Sequence, residues 1–217
     1  MNRKIIFSVV GVICIIAVAA CGTAAPLTNS TTSTTAKSAT NGTTSSNTSN
    51  VSTLACGAGT TSAGLTAELT EGPYFTANSP ERASLLENGM PGTKLVITGY
   101  VYSTDCKPVA NAKLDFWQAD ANGVYDNSGY TLRGHQFTDA NGRYELTTVV
   151  PGIYTGRTEH IHVKVQAPNG KLITTQLFFP GVVQNDSDGI FNASLLMPIQ
   201  QTSDGQQAQY NFVVPTS

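Results

Sequence analysis

The chain has 217 residues and a formal net charge of −2, and 12% of its residues are charged while 40% are hydrophobic. That length fits one folded domain with appended segments. Because the charge is close to zero and no basic stripe is present, the composition argues against nucleic acid as the main partner.

The first twenty residues have the pattern of a secretory signal peptide. Arg3 and Lys4 precede an apolar run from Ile5 to Ala20 that ends in small residues, and this order is typical of export signals. The alternative, an uncleaved membrane anchor, fits less well because a spanning helix needs about 20 apolar residues. We therefore predict a signal peptide over residues 1–20.

The end of this signal has the sequence Val18-Ala19-Ala20-Cys21. It resembles the bacterial lipoprotein box, in which the cysteine receives a lipid and becomes the mature N-terminus. The resemblance implies a lipid on Cys21. It also implies an exported protein that is anchored to the cell membrane or released outside the cell.

Residues 21–62 are predicted to form a flexible tether. The segment is rich in Ser, Thr and Asn, and such a tract buries too little apolar surface to offset its backbone entropy. We expect it to hold the folded domain, residues 63–217, away from the membrane.

The four cysteines separate by position. Cys14 lies within the predicted signal and Cys21 is the lipidation candidate, which leaves Cys56 and Cys106. Two remaining thiols in an exported chain predict a disulfide, with two separately buried thiols as the alternative.

Short runs rich in β-branched and aromatic residues follow one another through the predicted domain and indicate strands. Asn-Gly pairs at 122–123, 141–142 and 169–170 favour the two-residue turns of antiparallel strands. Only Ser79–Gly89 has the composition for a short helix. Regularly spaced short strands predict a β-sandwich or barrel, which at this size needs no metal for stability. The runs are TKLVITGYVY, AKLDFWQA, RYELTTVV, HIHVKVQA, LITTQLFF and QYNFVV.

The segment PGIYTGRTEHIHV, residues 151–163, holds two of the three histidines of the chain. On a strand His160 and His162 would face the same side, and taken alone the solvent face of an edge strand is the simpler interpretation. Tyr154 in the same segment and Tyr125 upstream change the balance. Ferric iron is acidic enough to remove the proton of a phenol and prefers the resulting anionic oxygen. We therefore predict a ferric iron site.

A zinc site is the alternative metal interpretation. A catalytic zinc ion would need a third nitrogen or carboxylate ligand, and the candidates are His135 and Glu159. Glu159 is adjacent to His160, so on a strand it faces the opposite side. A zinc hydrolase with His135 as its third ligand therefore stays open as the weaker hypothesis.

Four motifs follow one another in order through the predicted domain: LTEGPYF, GYVYSTDCKPVANAKLDFWQADANGVYD, LRGHQFTDANGRYELTTVVPGIYTGRTEHIHVKV and TQLFFPG. This combination resembles the intradiol ring-cleavage dioxygenases, the family of catechol 1,2- and protocatechuate 3,4-dioxygenases. The likeness is greatest to exported members that lack a helical dimerisation domain. The motifs cover most of the predicted domain and are far more specific than the His-x-His pair alone.

The resemblance implies a complete set of iron ligands. Tyr125, Tyr154, His160 and His162 match the two tyrosinates and two histidines that hold one Fe(III) per chain in the family. Tyr154 matches the tyrosinate that is released when substrate binds, so it is also a candidate catalytic base.

The resemblance also implies residues that act on the substrate. Arg157 matches the active-site arginine of the family, and Gln176 matches a glutamine that lines the pocket. Tyr74 would lie near the substrate entrance. One departure is Ile153, where related exported members often carry Trp, and this leaves the choice of substrate open.

The fold implied by the resemblance is an antiparallel β-sandwich of the prealbumin or immunoglobulin type. Within it we interpret Trp117 as a core residue and Arg133 as a buried partner in an ion pair. The implied activity is Fe(III)-dependent cleavage of catechol-type diols with O2 to cis,cis-muconate-type dicarboxylates. The alternative outside enzymology is a prealbumin-like binding module at the cell surface, without catalysis.

Overall fold

The computed structural model describes Cys56, residues 62–154 and residues 156–217. The predicted signal peptide, the lipidation candidate Cys21 and all of the predicted tether except its last residue and Cys56 lie outside the described residues. Within the described part, no helix has the length and apolar character required to cross a bilayer.

The described residues form nine strands in two sheets. One sheet has the order β4-β1-β8-β7, with β9 also paired to β1, and the other has the order β3-β2-β5-β6. Two short 3-10 turns, Val183–Asp186 and Ala193–Leu195, follow β6. The strands are β1 Lys94–Tyr102, β2 Lys113–Trp117, β3 Arg133–Phe137, β4 Arg143–Val149, β5 His160–Gln166, β6 Ile173–Phe178, β7 Ile199–Thr202, β8 Gly205–Gln209 and β9 Phe212–Val213.

The core fills the space between the two sheets. Alternate residues of β1, β2 and β5 are buried between the sheets, because successive side chains on a strand point to opposite faces. Leu95 and Ile97 on β1 belong to the same buried cluster as Ile161 and Val163 on β5. The predicted all-β sandwich is confirmed, and β5 consequently turns His160 and His162 to the face opposite the core.

Two strand pairs depart from the purely antiparallel arrangement that the resemblance implies. β8 and β9 both run parallel to β1, whereas the other five strand pairings among the described residues are antiparallel. β4 already occupies one edge of β1, so the C-terminal part of the chain adds to the other edge. Its hairpin β7–β8 places β8 there in the same direction as β1.

The helix that the composition of Ser79–Gly89 allows is not formed. The segment is extended and its backbone bridges the two sheets. The amide of Arg82 donates to the carbonyl of His135 in one sheet, and the amide of Leu85 donates to that of Thr147 in the other, each at 2.8 Å. The Leu85 side chain is fully buried in the core. A helix would withdraw these amide donors into its own hydrogen bonds.

The Asn-Gly pairs have three different environments. Asn169-Gly170 lies in the connection between the antiparallel neighbours β5 and β6, as predicted, but this connection spans residues 167–172 and is longer than a two-residue turn. Asn141-Gly142 joins β3 to β4, which belong to different sheets, and Asn122-Gly123 lies inside the long connection from β2 to β3. The hairpin prediction is therefore wrong for these two. Their glycines still provide left-handed backbone, with φ of 74° at Gly142 and 78° at Gly123.

Cys56 and Cys106 form a disulfide, with an S–S distance of 2.13 Å. Cys106 lies in the turn after β1 at a φ of 56°. The bond therefore ties the segment that precedes the domain to the end of its first strand.

Candidate active site

The centre of the site is a row of side chains across the outer face of the second sheet. In the strand register, His162 on β5 lies directly beside Trp117 on β2 and beside Gln176 on β6. His160 lies two residues away on the same face of β5, because side chains alternate along a strand. All four side chains are buried, so the segments that cover this face exclude water from it.

The two histidines point their Nε2 atoms at each other. Nδ1 of His160 lies 2.6 Å from the carbonyl oxygen of Thr158, so this nitrogen carries the proton and donates it. The Nε2 atom of His160 therefore carries a lone pair, and it lies 3.1 Å from Nε2 of His162. Burial lowers the pKa of His160 to about 4 and lowers the pKa of His162 well below its ordinary value. Both imidazoles are therefore neutral at pH 7.

Tyr125 adds an oxygen atom to this pair of nitrogens. Its Oη atom lies 3.4 Å from Nε2 of His160. Burial raises the pKa of Tyr125 well above its ordinary value, so the phenol keeps its proton unless a strongly acidic cation removes it. The loop that carries Tyr125 packs tightly: a Cβ atom on Gly123 would lie 2.2 Å from the carbonyl oxygen of Ile153.

That contact brings the loop of Tyr125 beside the loop of Tyr154, and Tyr74 completes an aromatic cluster. The rings of Tyr74 and Tyr125 are stacked with centroids 4.4 Å apart. The ring of Tyr154 meets both of them edge-on, at 5.7 Å and 6.0 Å. Burial and a hydrogen bond with Tyr74 raise the pKa of Tyr154. The structure thus brings together both predicted tyrosinate ligands and the predicted entrance residue.

Arg157 lies beside this cluster in a network of its own. Its Nη2 atom donates to Oε1 of Gln176 at 2.6 Å, and its Nε atom donates to Oδ2 of Asp188 at 2.9 Å. Nε2 of Gln176 in turn donates to the carbonyl of Thr70, at 3.0 Å. The predicted arginine and glutamine are therefore in direct contact, and Asp188 holds the other side of the guanidinium group.

Sequence reasoning missed Asp188. Its pKa is lowered, because hydrogen bonds from the amides of Thr158 and Ile190 and from the guanidinium of Arg157 outweigh the effect of burial, which alone would raise it. Asp188 lies 31 residues from Arg157 along the chain, in a loop without a recognisable motif. No local pattern could have found it.

Arg133 differs from its interpretation as an ion-pair partner. The side chain is buried, but it donates to backbone carbonyls: to Tyr74 at 2.5 Å and to Asp126 at 2.7 Å. Because Asp126 follows Tyr125, one guanidinium group connects the segments that carry Tyr74 and Tyr125. Trp117 is buried, but it lies with Tyr125 on the outer face of the sheet rather than in the core between the sheets, and it stacks on His162 at 4.7 Å.

The donor set fits ferric iron better than zinc. His135 lies on β3, separated from β5 by β2, and its Nδ1 atom contacts the carbonyl of Ser79 at 2.7 Å. No group of three His, Cys, Asp or Glu side chains suited to a metal occurs among residues 62–154 and 156–217 with Cys56. Two imidazole nitrogens that face each other beside a phenol oxygen match a hard cation that binds imidazole and phenolate together.

A family model for dioxygenases matches residues 70–214. Among solved structures, the intradiol ring-cleavage dioxygenase from Tetranychus urticae is 26% identical with a TM-score of 0.64, and the match covers 70% of this chain and 95% of that one. This chain belongs to the intradiol dioxygenase family.

Three other relatives have a higher sequence identity to this chain than the Tetranychus urticae enzyme has. The dioxygenase domain of a dioxygenase carbohydrate-binding protein fusion from Streptomyces sp. SirexAA-E is 47% identical with a TM-score of 0.69, covering 71% of this chain and all of that one. Hydroxyquinol 1,2-dioxygenase from Rhizobium sp. (strain MTP-10005) is 30% identical, covering 64% of this chain and 56% of the relative. Catechol 1,2-dioxygenase 2 from Acinetobacter lwoffii is 35% identical, covering 54% and 52%. The chain spans about half the length of these two curated relatives.

Proposed function

We propose that the protein is a ferric-iron enzyme that cleaves catechol-type diols between the two hydroxyl-bearing carbons, adding both atoms of O2 to give cis,cis-muconate-type dicarboxylates. The observation that carries the proposal is the convergence of three ligand atoms. Nε2 of His160 lies 3.1 Å from Nε2 of His162 and 3.4 Å from Oη of Tyr125. Tyr154 packs against the same aromatic cluster.

The residues that would hold the iron, one ion per chain, are Tyr125, Tyr154, His160 and His162. Two phenolates and two neutral imidazoles leave a trivalent ion with one positive charge, which favours a further anion such as a deprotonated diol. The ferric ion, when bound, supplies the Lewis acid that holds the diolate and the orbitals through which electron density passes from the ring towards O2.

Tyr154 is suited to move the proton of the substrate. It is half-buried rather than buried, and its ring meets that of Tyr74 edge-on at 5.7 Å. As a phenolate, its Oη atom would accept a proton from one hydroxyl of the diol and turn towards Tyr74. Tyr125, which is buried, would stay in place.

Arg157 is suited to stabilise charge during ring opening. Its guanidinium group is fixed on one side by Asp188 and on another by Gln176, so it needs no reorganisation when negative charge develops on the attacked ring carbon. Fixed donors of this kind in a site that excludes water are the main electrostatic contribution to catalysis.

Oxygen uptake tests the proposal. The iron-loaded protein should consume one O2 per molecule of a substituted catechol, and the product should absorb as a muconate-type diene. A zinc hydrolase would contain zinc and consume no O2. A binding module without catalysis would bind catechols without uptake, and either result would contradict the proposal.

We propose also that the protein is exported and carries a lipid on Cys21. The basic start and apolar run of residues 1–20 support export, and the Cys56–Cys106 disulfide suits an oxidising compartment. When the full chain is expressed in a bacterium, the wild type should be found in the membrane fraction, and the Cys21→Ser variant should move to the soluble fraction. Equal membrane association of both forms would contradict the lipid anchor.

A further inference from the structure

Asp188 is buried in the loop that follows the 3-10 turn Val183–Asp186, and its side chain is only 2% exposed. Both of its oxygen atoms are occupied. Oδ2 accepts from Nε of Arg157 and from the amide of Thr158, each at 2.9 Å, and Oδ1 accepts from the amide of Ile190 at 2.9 Å. A carboxylate with three donors is held in one orientation, and it holds its donors in turn.

Arg157 and Thr158 are consecutive residues with different connections to the site. Arg157 donates to Gln176, whereas the carbonyl of Thr158 accepts the Nδ1 proton of His160 at 2.6 Å. The carboxylate of Asp188 therefore contacts both the group that would stabilise charge on the substrate and the amide of the residue whose carbonyl orients one histidine.

The chain before Arg157 is closed into a turn by one backbone hydrogen bond, from the amide of Arg157 to the carbonyl of Tyr154 at 3.0 Å. Gly156 within this turn has a φ of 78°, and a Cβ atom added to it would meet nothing within 4 Å. Asn185 gives a second connection from the C-terminal part of the chain, because its Oδ1 atom accepts from the hydroxyl of Thr158 at 2.6 Å. The side chains of Asp188 and Asn185 therefore add restraint to this approach to β5 from across space.

We propose that Asp188 is a positioning residue of the active site. It holds the guanidinium group of Arg157 in the orientation that the reaction needs. Through the backbone of Thr158, it also holds the ring of His160 in the orientation that binds the metal. Its effect on turnover rests on the proposed function, whereas its effect on His160 and Thr158 does not. The negative charge of the Asp188 carboxylate matters as well as the shape of the side chain. An asparagine at 188 would have to turn an NH2 group either towards Ile190 or towards Arg157 and Thr158, where donors already stand.

The first test compares Asp188→Asn with Asp186→Asn. Asp186 lies in the same loop and is exposed, so the control removes the same charge without touching the network. In the iron-loaded full chain, Asp188→Asn should lower kcat for a catechol by about ten- to hundred-fold, because small displacements of catalytic groups have effects of that size. Asp186→Asn should stay within about two-fold of the wild type, the range expected of a surface change. A kcat of Asp188→Asn equal to that of the control would overturn the proposal.

A double variant separates positioning from general loss of structure. If Asp188 acts on turnover through Arg157, Arg157→Ala with Asp188→Asn should be no slower than Arg157→Ala alone. Fully multiplied effects of the two substitutions on kcat would overturn the assignment of Asp188 as the residue that positions Arg157. Asp188→Glu keeps the charge one methylene further out and should recover part of the kcat. It also supplies a folded variant if the asparagine form does not fold.

Two measurements need no turnover. In the iron-free protein, the amide of Thr158 should exchange with solvent deuterium faster in Asp188→Asn than in Asp186→Asn. Under nitrogen, catechol should bind the iron-loaded asparagine variant more weakly, as measured from the visible spectrum. Should the wild type consume no O2 with any catechol, the proposed function fails, and the exchange of the Thr158 amide in the iron-free protein still decides the role of Asp188. Unchanged exchange and unchanged catechol binding would contradict it.

Discussion

The indole of Trp117 lies flat against the imidazole of His162, with ring centroids 4.7 Å apart and planes inclined by 10°. The two residues are direct neighbours in the register of β2 and β5, so the stack follows from strand pairing. On its other side Trp117 meets Phe75 at 4.9 Å. The stacked indole fixes the plane of the His162 ring, whose Nδ1 atom has no hydrogen-bond partner among the described residues.

Trp117→Ala should therefore weaken iron binding as well as stability. Loss of a buried tryptophan costs about 3–5 kcal/mol of unfolding free energy, and loss of a neighbour that orients a metal ligand weakens metal affinity by about ten- to hundred-fold. Urea unfolding of the iron-free protein and competition with an iron chelator measure the two effects. Trp117→Phe keeps a flat ring and should lose less unfolding free energy and less iron affinity than Trp117→Ala. Wild-type iron affinity in the alanine variant would show that packing does not orient His162.

Tyr125→Phe and Arg157→Ala should separate iron binding from catalysis. Tyr125 provides an oxygen beside the histidines, so its loss should weaken iron binding and reduce the visible phenolate-to-iron absorption. Arg157 touches Gln176 and Asp188 rather than the histidines. Its loss should leave iron content near wild type and lower kcat by about 10²–10³-fold, as for other preorganised donors. Iron analysis, visible spectra and kinetics check both variants, and equal iron loss would contradict the separate roles.

Acid should destabilise the iron-free protein through His160. Its folded-state pKa is about 4 against an ordinary value of 6.5, so the unfolded state binds more protons between these values. The stability that this residue contributes is complete above pH 6.5 and is lost as the pH falls towards 4. A shift of this size corresponds to about 3 kcal/mol.

Urea unfolding at pH 7.5 and at pH 4.5 measures this loss. His160→Asn should show a weaker dependence on pH over the same range, because it removes the group that titrates. The carboxyl groups of Asp126 and Asp188 have pKa values below the ordinary one, so their effects appear at lower pH. An equal pH dependence in the wild type and His160→Asn would contradict the assignment.

The sequence predicts strands where side-chain chemistry is typical of strands, and the predictions fail where strand pairing alone decides. The runs that became β1, β2, β4, β5 and β6 are rich in β-branched and aromatic residues. β3 contains Arg, Gly, His and Gln, and β8 has the sequence GQQAQ. Their partners β2 and β1 provide the backbone hydrogen bonds, and tertiary context of this kind overrides propensity. The failed helix at Ser79–Gly89 has the same cause.

The site divides in a similar way. His160, His162 and Arg157 lie close together in sequence, and the alternation of β5 alone predicts that the histidines share a face. Tyr125 is a candidate ligand from its residue type alone, whereas the positions of Tyr74 and Gln176 come from the family resemblance, since they depend on a loop and on a neighbouring strand. Asp188 and the carbonyl contacts of Arg133 could not be predicted, because they join distant segments through groups that form no local motif.

Arg133 should be needed to hold the tyrosine-bearing segments together. Its guanidinium group donates to the carbonyls of Tyr74 and Asp126, and the residue is only 1% exposed, so that burial lowers its pKa. Arg133→Met would leave both part-buried carbonyls without these donors, at a cost of up to about 1–3 kcal/mol each. Because the segment of Tyr74 would be freed as well, KM for catechol should rise more than kcat falls.

Arg143→Met is the matched control for this variant. Arg143 forms an exposed ion pair with Glu145, with side chains 44% and 48% accessible, and exposed pairs of this kind contribute about 0–1 kcal/mol. Urea unfolding and steady-state kinetics of the two variants make the comparison. If Arg133→Met were as stable as Arg143→Met and kept the wild-type KM, Tyr74 and Tyr125 would have to be positioned by their own ring stacking, and the buried arginine would have no part in forming the site.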